Sequence, residues 1–286
     1  MPQGFQLTRC FAVALCLAIA TAALAQEEAK RPVDGIMDNS FLVEEAYNQE
    51  AGVVQHIFTG LYGVDKVGAP DKRTFDLAFT QEWPVFSQAH QFSYTVPYGF
   101  ARERGQSSSG VGDVFLNYRF QAFFEEKSLT AFAPRFSLLL PTGADGFSSD
   151  TLGYQWNLPF STALGDRWFV HANAGLTFLP NTGARSADDL LNYNLGASAI
   201  YCVSGRFNLM LEWIGAWNES ANDNGGIERE FSSVISPGFR YAFNFASGSQ
   251  MVLGLGAPIG LTRSAPAVGV LFYLSFEHRF ASSKSE

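Results

Sequence analysis

Apolar and polar residues alternate along the stretch that begins at Gly110. Its apolar positions are Val114, Leu116, Tyr118, Phe120, Ala122 and Phe124. The positions between them include Asp113, Asn117, Arg119 and Gln121. Successive side chains of a β-strand point to opposite faces, so a period of two indicates a strand. The pattern predicts a strand with one apolar face and one polar face.

The same period recurs along the chain after residue 51 and predicts twelve strands. They are Gly52–Tyr62, Thr74–Phe86, Ala89–Phe100, Gly110–Phe124, Ser128–Leu140, Thr151–Leu164, Trp168–Leu179, Leu190–Cys202, Phe207–Trp217, Phe231–Asn244, Gln250–Leu261 and Val268–Phe280. Most of these units are about 11–14 residues long. A tilted membrane strand needs roughly 9–11 residues, whereas strands of globular proteins average roughly 5–6. The length favours a membrane barrel over a soluble sandwich, which would show the same alternation with its polar face outside.

The connections between these units alternate between short and long. The short ones are Ser87–Gln88, Glu125–Lys127, Gly165–Asp166, Gly205–Arg206 and Ser247–Ser249. The long ones are Gly63–Arg73, Ala101–Ser109, Thr142–Asp150, Pro180–Asp189, Glu219–Glu230 and Thr262–Ala267. Outer-membrane barrels have short periplasmic turns, longer outer loops and an even number of strands. The sequence therefore predicts an all-β fold: a transmembrane antiparallel up-and-down β-barrel of about twelve strands, with both termini in the periplasm.

The charged residues of the predicted strands fall on the faces opposite the apolar ones. An Arg or Lys that faces lipid at the bilayer midplane costs roughly 2–4 kcal/mol, and a water-filled lumen removes most of this cost. The polar faces are therefore predicted to line the lumen. The candidate lumen-facing residues are Asp76, Glu82, Asp113, Asn117, Arg119, Gln121, Arg135, Glu212, Arg240, Glu277 and Arg279.

The start of the chain is typical of an exported protein. Arg9 precedes an apolar run, Phe11 to Leu24, which closes on Ala23-Leu24-Ala25. This pattern predicts a signal peptide, residues 1–25, that is cleaved after Ala25. The remaining chain carries 18 Lys and Arg against 27 Asp and Glu, which disfavours nucleic acid as a partner because phosphates need basic patches. Only Cys202 remains after cleavage, so no intrachain disulfide can form.

Residues 26–51 precede the first predicted strand and form a separate segment. Phe41-Leu42-Val43 and Ala46-Tyr47, together with Glu44 and Glu45, are compatible with a short amphipathic helix. The segment could plug the lumen, lie on the periplasmic rim or be loose, and a short ordered element near the periplasmic mouth is the favoured expectation. The barrel is predicted to span residues 52–280, followed by a C-terminal tail, residues 281–286.

Two parts of the sequence resemble known proteins. The last strand resembles the C-terminal assembly signal of outer-membrane barrels through Phe272, Leu274, Phe276 and Phe280, although His278 interrupts this face and ASSKSE follows it. The motifs GVGDVFLNYRF at Gly110–Phe120, PRFSLLLPTG at Pro134–Gly143 and SPGFRY at Ser236–Tyr241 resemble the outer-membrane family of transporters of the meta-pathway of phenol degradation. The stretch Asn39–His56 is also similar to the start of members of that family. The resemblance implies a β-barrel with a transport role.

Three functions follow from these patterns. The first is a channel for passive diffusion of small molecules, including apolar or aromatic ones, since the resemblance points to import of hydrophobic compounds. The second is a structural barrel without transport. The third, less favoured, is an outer-membrane lipid-modifying enzyme, because the four histidines of the mature chain, His56, His90, His171 and His278, lie in four different strands and form no catalytic or metal-binding motif. The sequence predicts no catalytic, cofactor-binding or metal site. The expected partners are membrane lipid, the outer-membrane assembly machinery and a small solute in the outer membrane of a Gram-negative cell.

Overall fold

The computed structural model of the protein describes residues 40–65, 72–182, 188–221 and 226–279. The predicted signal peptide, Phe280 and the C-terminal tail lie outside these residues. All regular secondary structure in the described part of the chain is β-strand. It contains no helix that is long and apolar enough to cross a membrane.

The strand segments combine into twelve strands, β1 to β12, three of them interrupted once and one interrupted twice. The continuous strands are β1 Val53–Val64, β2 Lys72–Val85, β3 Ser87–Glu103, β7 Trp168–Thr182, β8 Asp188–Ser204, β9 Phe207–Ala221, β10 Ile227–Asn244 and β12 Val268–Arg279. The interrupted strands are β4 (Gln106–Val111, Val114–Phe120 and Phe123–Glu125), β5 (Thr130–Phe132 and Arg135–Leu140), β6 (Gly153–Asn157 and Phe160–Leu164) and β11 (Gln250–Gly256 and Ile259–Gly260).

Each strand pairs antiparallel with the next one along the chain, and β12 pairs with β1 to close the sheet. The closing register is continuous from Val53 opposite Arg279 to Val64 opposite Val268. Among the described strands, closure leaves no free sheet edge, which is what a sheet in lipid requires. The predicted fold, an all-β antiparallel barrel of twelve strands, is confirmed.

The two faces of the sheet differ in chemistry as the alternation predicts. Aromatic and aliphatic side chains on the outer face are exposed, for example Phe58, Trp168 and Phe272. Polar side chains on the inner face are buried, for example Asn117 and Glu212. An apolar outer surface with buried polar groups is the reverse of a soluble protein and is expected for a barrel whose solvent is lipid.

The prediction that Phe124 lies on the apolar outer face of its strand is wrong. Arg119 pairs with Arg135, but Phe123 pairs with Phe132, so the register between β4 and β5 shifts by one residue at Gln121 and Ala122. A β-bulge of this kind inserts an extra residue and reverses the alternation beyond it. Phe123 therefore faces outward and is 49% exposed, while Phe124 turns inward and packs near Tyr47.

The long connection predicted at Ala101–Ser109 is also wrong. β3 continues to Glu103 and β4 begins at Gln106, so only Arg104 and Gly105 form the turn. Their φ angles are +50° and +83°. Positive φ at both central residues belongs to the tight type I′ hairpin turn, whose twist matches that of the flanking strands. The barrel wall therefore extends further at this point than the polarity of the sequence indicated.

The prolines of the predicted strands lie at or beside irregularities, because proline cannot donate to a sheet ladder. Pro134 and Pro159 occupy the breaks within β5 and β6, and Pro84 lies at a register shift between β2 and β3. Pro97 and Pro237 lie in continuous strands. Each of them accepts a hydrogen bond from a residue in a break of the next strand, from Gly112 N at 2.9 Å and from Ala257 N at 2.9 Å.

Candidate functional site: a lumen occupied by the N-terminal segment

Residues 40–50, here called the plug, run inside the barrel. They contact inner-face residues of eleven of the twelve strands: Gln55, Gln91, Arg119, Arg135, Ser161, Asn173, Ser198, Glu212, Gly238, Gly254 and Tyr273. The plug consists of bends and irregular backbone without helical residues. It lies nearer the end of the barrel that carries the short turns, since it leads directly into the start of β1.

Side chains of the barrel wall bind the plug backbone in place of regular secondary structure. Glu212 Oε1 accepts from the backbone N–H groups of Leu42 (2.8 Å) and Val43 (3.2 Å), and Ser161 Oγ accepts from that of Ala46 (2.8 Å). Gln121 Nε2 donates 3.0 Å to the Ala46 carbonyl. Irregular backbone that is buried must find such partners, because each unpaired group costs free energy.

Phe41 anchors one end of the plug. Its ring packs against the inner faces of β10 and β11, where three residues, here called the glycine socket, have no side chain: Gly238, Gly254 and Gly256. A β-carbon at Gly238 would lie 2.9 Å from the ring and one at Gly256 would lie 3.3 Å from it, and one at Gly254 would overlap it. Tyr273 completes the contact, with ring centroids 5.4 Å apart.

Tyr47 anchors the other end of the plug and is 2% exposed. Its ring packs with Ala131 and Ala133 of β5 and edge-on to the ring of Phe124, 6.3 Å away. Its hydroxyl donates 2.6 Å to the carbonyl of Leu129. The bulge in β4 turns Phe124 inward and therefore contributes directly to the packing around Tyr47.

Glu44 lies between the two anchors and forms ion pairs with two arginines of the barrel wall. Its Oε1 is 3.3 Å from Arg119 Nη1, and its Oε2 is 3.1 Å from Arg135 Nε. Asn157 Nδ2 also donates 2.5 Å to Oε2. Arg119 in addition donates to Asn48 Oδ1 (2.9 Å) and to the carbonyls of Glu45 (3.0 Å) and Tyr47 (2.8 Å).

In the described part of the barrel, polar cavities border the plug, and two of them share residues with it. One, of about 240 Å³, is bordered by Glu44, Glu82, Arg119 and Arg135, among other residues. The other, of about 170 Å³, is bordered by Glu44, Arg135 and the amide side chains of Gln155, Asn157, Asn173 and Asn194. Glu44 and Arg135 border both. The plug therefore narrows the lumen, while polar space stays open on the two sides of the Glu44–Arg135 contact.

The other candidate lumen residues occupy different levels of the barrel. Glu82 accepts 2.8 Å from Gln91 Nε2 beside the larger cavity, and Arg240 is fully buried beneath the plug. Arg279 lies at the rim, 3.8 Å from Glu50, and Glu277 precedes it on the same face of β12. Asp76 is exposed.

The outward face of the last strand holds the described residues of the assembly signal. Phe272 is 45% exposed and Phe276 is 37% exposed, and Leu274 pairs with Phe58 across the closing seam.

Asp113 joins two of the motifs on which the family resemblance rests. Its carboxylate accepts from the backbone N–H groups of Gly143 (3.0 Å) and Ser149 (2.8 Å) and from Ser149 Oγ (2.5 Å). These contacts hold the loop after β5 against β4. The ring of Phe147 in that loop fills the space beside Gly110. Gly112-Asp113 and Pro141-Thr142-Gly143 therefore form one loop support, whereas Arg119 and Arg135 of the same two motifs contact the plug.

The histidines are arranged differently from what their spacing in the sequence indicated. His171 Nδ1 lies 2.7 Å from Ser161 Oγ, and both residues are fully buried beneath the plug. Ser161 also accepts the Ala46 N–H, so this pair supports the plug and is closed to a substrate. His56 and His278 meet on the outer face, with Nε2 atoms 3.2 Å apart, because closure pairs the first strand with the last.

The alternation pattern places several plug-binding residues in the lumen, such as Arg119 and Glu212, but gives no indication that they bind a segment of the chain. It places Phe41 and Tyr47 in a short amphipathic element and does not point to the glycine socket. The available signal was the absence of side chains at Gly238, Gly254 and Gly256, on a face where neighbouring strands carry large polar residues.

No family model matches the sequence, and no curated protein matches it. Among solved structures, the COG4313 outer membrane channel from Pseudomonas putida F1 superimposes with a TM-score of 0.64 at 13% identity, covering 82% of this chain and 98% of that chain. The translocator domain of the autotransporter NalP from Neisseria meningitidis gives a TM-score of 0.52 at 11% identity, covering 96% and 98%. At these identities the likeness shows the fold, which is that of outer-membrane β-barrels.

Proposed function

We propose that the protein is an outer-membrane channel for passive diffusion of small molecules, and that the plug controls passage through its lumen. The observation that carries this proposal is that polar cavities border the plug inside the barrel. The plug is one short segment, and it is held by hydrogen bonds, two ion pairs at Glu44 and two aromatic anchors. Moving that segment would widen the lumen without disturbing a strand.

The lining of the lumen is suited to small solutes of mixed character. Apolar residues beside the larger cavity include Ile57, Leu42 and Tyr273, and polar ones include Thr80 and Asn117. A cavity of about 240 Å³ is below the size of sites for drug-sized ligands, which start at roughly 300 Å³. We therefore expect single-ring compounds and other small molecules as solutes. The resemblance to transporters of the meta-pathway of phenol degradation supports the same class.

This proposal implies what each surface of the barrel contacts in the outer membrane. The outer aromatic face would contact membrane lipid, and the last strand would present Phe272, Leu274 and Phe276 to the outer-membrane assembly machinery. Export would depend on the predicted signal peptide. The short turns would face the periplasm, so the plug would enter the lumen from the periplasmic side.

A structural barrel without transport is the second candidate, because the plug is extensively bound. The two candidates are separated by measuring single-channel conductance in planar bilayers for the mature protein and for a variant that lacks residues 26–50. A channel with a plug predicts a low conductance that rises several-fold on deletion, and heat-modifiable gel migration verifies that both proteins are folded. Folded proteins that carry no current in either form would favour the structural barrel.

A further inference from the structure

Glu44 places a carboxylate of the plug against two guanidinium groups of the wall, Arg119 and Arg135, here called the arginine pair. The Glu44 side chain retains 21% exposure and borders both cavities. A carboxylate of a solute in either cavity would therefore approach the same guanidinium groups. Arg–carboxylate contacts are among the strongest recognition contacts in proteins because charge and planar geometry match together.

Arg135 is oriented by the barrel wall and does not depend on the plug for its position. Its Nη1 donates 3.2 Å to Asn117 Oδ1, and its Nη2 donates 3.0 Å to Gln155 Oε1. Asn117 is in turn held by Ser93 (3.1 Å) and Ser137 (2.7 Å). The guanidinium would therefore still point into the lumen if Glu44 moved away, as a preformed anion site requires.

The Nε–H group of Arg135 has no well-aligned hydrogen-bond acceptor among the described residues. The group is buried, and Glu44 Oε2 lies 3.1 Å from its nitrogen. Glu44 is tethered through a backbone that Asn173 and Ser161 hold in place. A free carboxylate can rotate to accept this N–H, which gives it an advantage over the tethered one.

The charges around the larger cavity also favour a carboxylate as the ligand. Glu44, Glu82 and the arginine pair border the larger cavity, so two carboxylates face two guanidinium groups. Movement of the plug takes Glu44 away from this cavity, which leaves one carboxylate facing two guanidinium groups in a confined space. A buried charge without its partner is strongly unfavourable, and an anionic solute would restore the balance.

We infer that Glu44 occupies a binding site for the carboxylate of a small aromatic acid, which the arginine pair binds when the acid displaces Glu44. This inference rests on the proposed function and specifies a substrate class for the same lumen. The ring of the acid would lie against Ile57 and Tyr273, which border the larger cavity together with the arginine pair. Occupation of the site by a solute would favour the open form of the plug, since a ligand shifts an equilibrium toward the state it binds better.

The test compares benzoate with benzamide, which share the ring and nearly the same size and differ in charge. Full-length mature protein is placed in a planar bilayer, and the frequency of current changes, openings or blockades, is measured against the concentration of each compound. We expect an apparent dissociation constant for benzoate at least about tenfold lower than that for benzamide. Arg135→Gln should abolish this difference, and Glu44→Gln should lower the constant for benzoate further, because the competing carboxylate is gone.

Arg229→Gln is the matched control. Arg229 also pairs with a glutamate, Glu219 at 2.7 Å, but it lies near the start of β10 and its side chain is 78% exposed, so its loss should leave the preference for benzoate unchanged. Equal constants for benzoate and benzamide, a preference that persists in Arg135→Gln, or a Glu44→Gln variant with unchanged benzoate binding would overturn this inference alone. Folded protein without current in any form, including Phe41→Ala, would overturn the proposed function together with it.

Discussion

The ring of Phe41 fills the space that a side chain at Gly254 would occupy. The two residues are far apart along the chain, one in the plug and the other on the inner face of β11. Their contact shows that the wall of the barrel is shaped to receive the plug at this point. The position of the plug therefore depends on side chains that are absent from the wall as well as on those that bind it.

Phe41→Ala is expected to release this end of the plug. Truncating a fully buried Phe to Ala costs roughly 3 kcal/mol or more, and Phe41 is partly buried, so the ratio of docked to undocked plug should change by up to about 100-fold. The barrel itself should keep its stability, since the strands do not depend on the plug for pairing. The expected result is a higher single-channel conductance or a larger open fraction in planar bilayers.

The control for this prediction is Phe58→Ala, because Phe58 faces outward and is 47% exposed. Gly254→Ala should act like Phe41→Ala, since its methyl group meets the ring, whereas Gly215→Ala on the outer face of β9 should not affect conductance. A current that is the same in wild type, Phe41→Ala and Gly254→Ala would show that the anchor does not limit passage.

Leu116→Arg is expected to impair assembly of the barrel. Leu116 lies on the outer face in the middle of β4, between Tyr94 and Leu138, and a charge there costs roughly 2–4 kcal/mol in lipid. Thr80→Arg is the matched inner-face variant, because Thr80 borders the larger cavity and has room for a long side chain. The measurement is the amount of heat-modifiable protein in the outer membrane.

Asn117 is not a suitable inner-face control. It is 2% exposed and bound by Ser93, Ser137 and Arg135, so an arginine there would have no space. Similar losses for Leu116→Arg and Thr80→Arg would mean that the two faces do not differ in solvent as the fold indicates.

Asp113→Ala is expected to loosen the loop that follows β5. The carboxylate accepts three hydrogen bonds from Gly143 and Ser149, and buried groups that lose such a partner cost roughly 1–3 kcal/mol. The loop should then be cleaved by protease about tenfold faster in detergent-solubilised, folded protein. Asp145→Ala, an exposed change in the same loop, is the control, and equal cleavage of both variants would argue against a support role for Asp113.

The mature protein is expected to begin at Gln26. The basic residue Arg9, the apolar run and Ala23-Leu24-Ala25 predict cleavage after Ala25. Mass spectrometry of protein extracted from the outer membrane measures the N-terminus directly, and protein recovered as a soluble periplasmic species would contradict the proposed location. Substituting Ala25 by a bulky residue should leave the precursor uncleaved.

The sequence by itself determined the strands and their faces, because the signal is local. Successive side chains of a strand point to opposite faces, so the sequence alone assigns Leu116 and Asn117 to opposite faces. The alternation pattern placed Phe124 on the wrong face, because the bulge at Gln121 and Ala122 reverses the alternation beyond it. The polarity of Arg104 and Gly105 and their neighbours indicated a long loop, where the backbone makes a tight turn.

Only the tertiary structure decided what the lumen contains. Glu44 meets Arg135, Phe41 meets Gly254, and His56 meets His278 because closure of the sheet brings distant strands around one axis. The plug does not share the period-two pattern of the strands, and its partners are spread over eleven strands, so no window of sequence holds the signal. The sequence correctly predicted that these polar residues lie in the lumen. Whether they face water or bind a segment of the chain depends on which backbone groups enter that space. That is a property of the closed barrel as a whole, since the free energy of seating the plug is the sum of contacts that exist only after all twelve strands have paired.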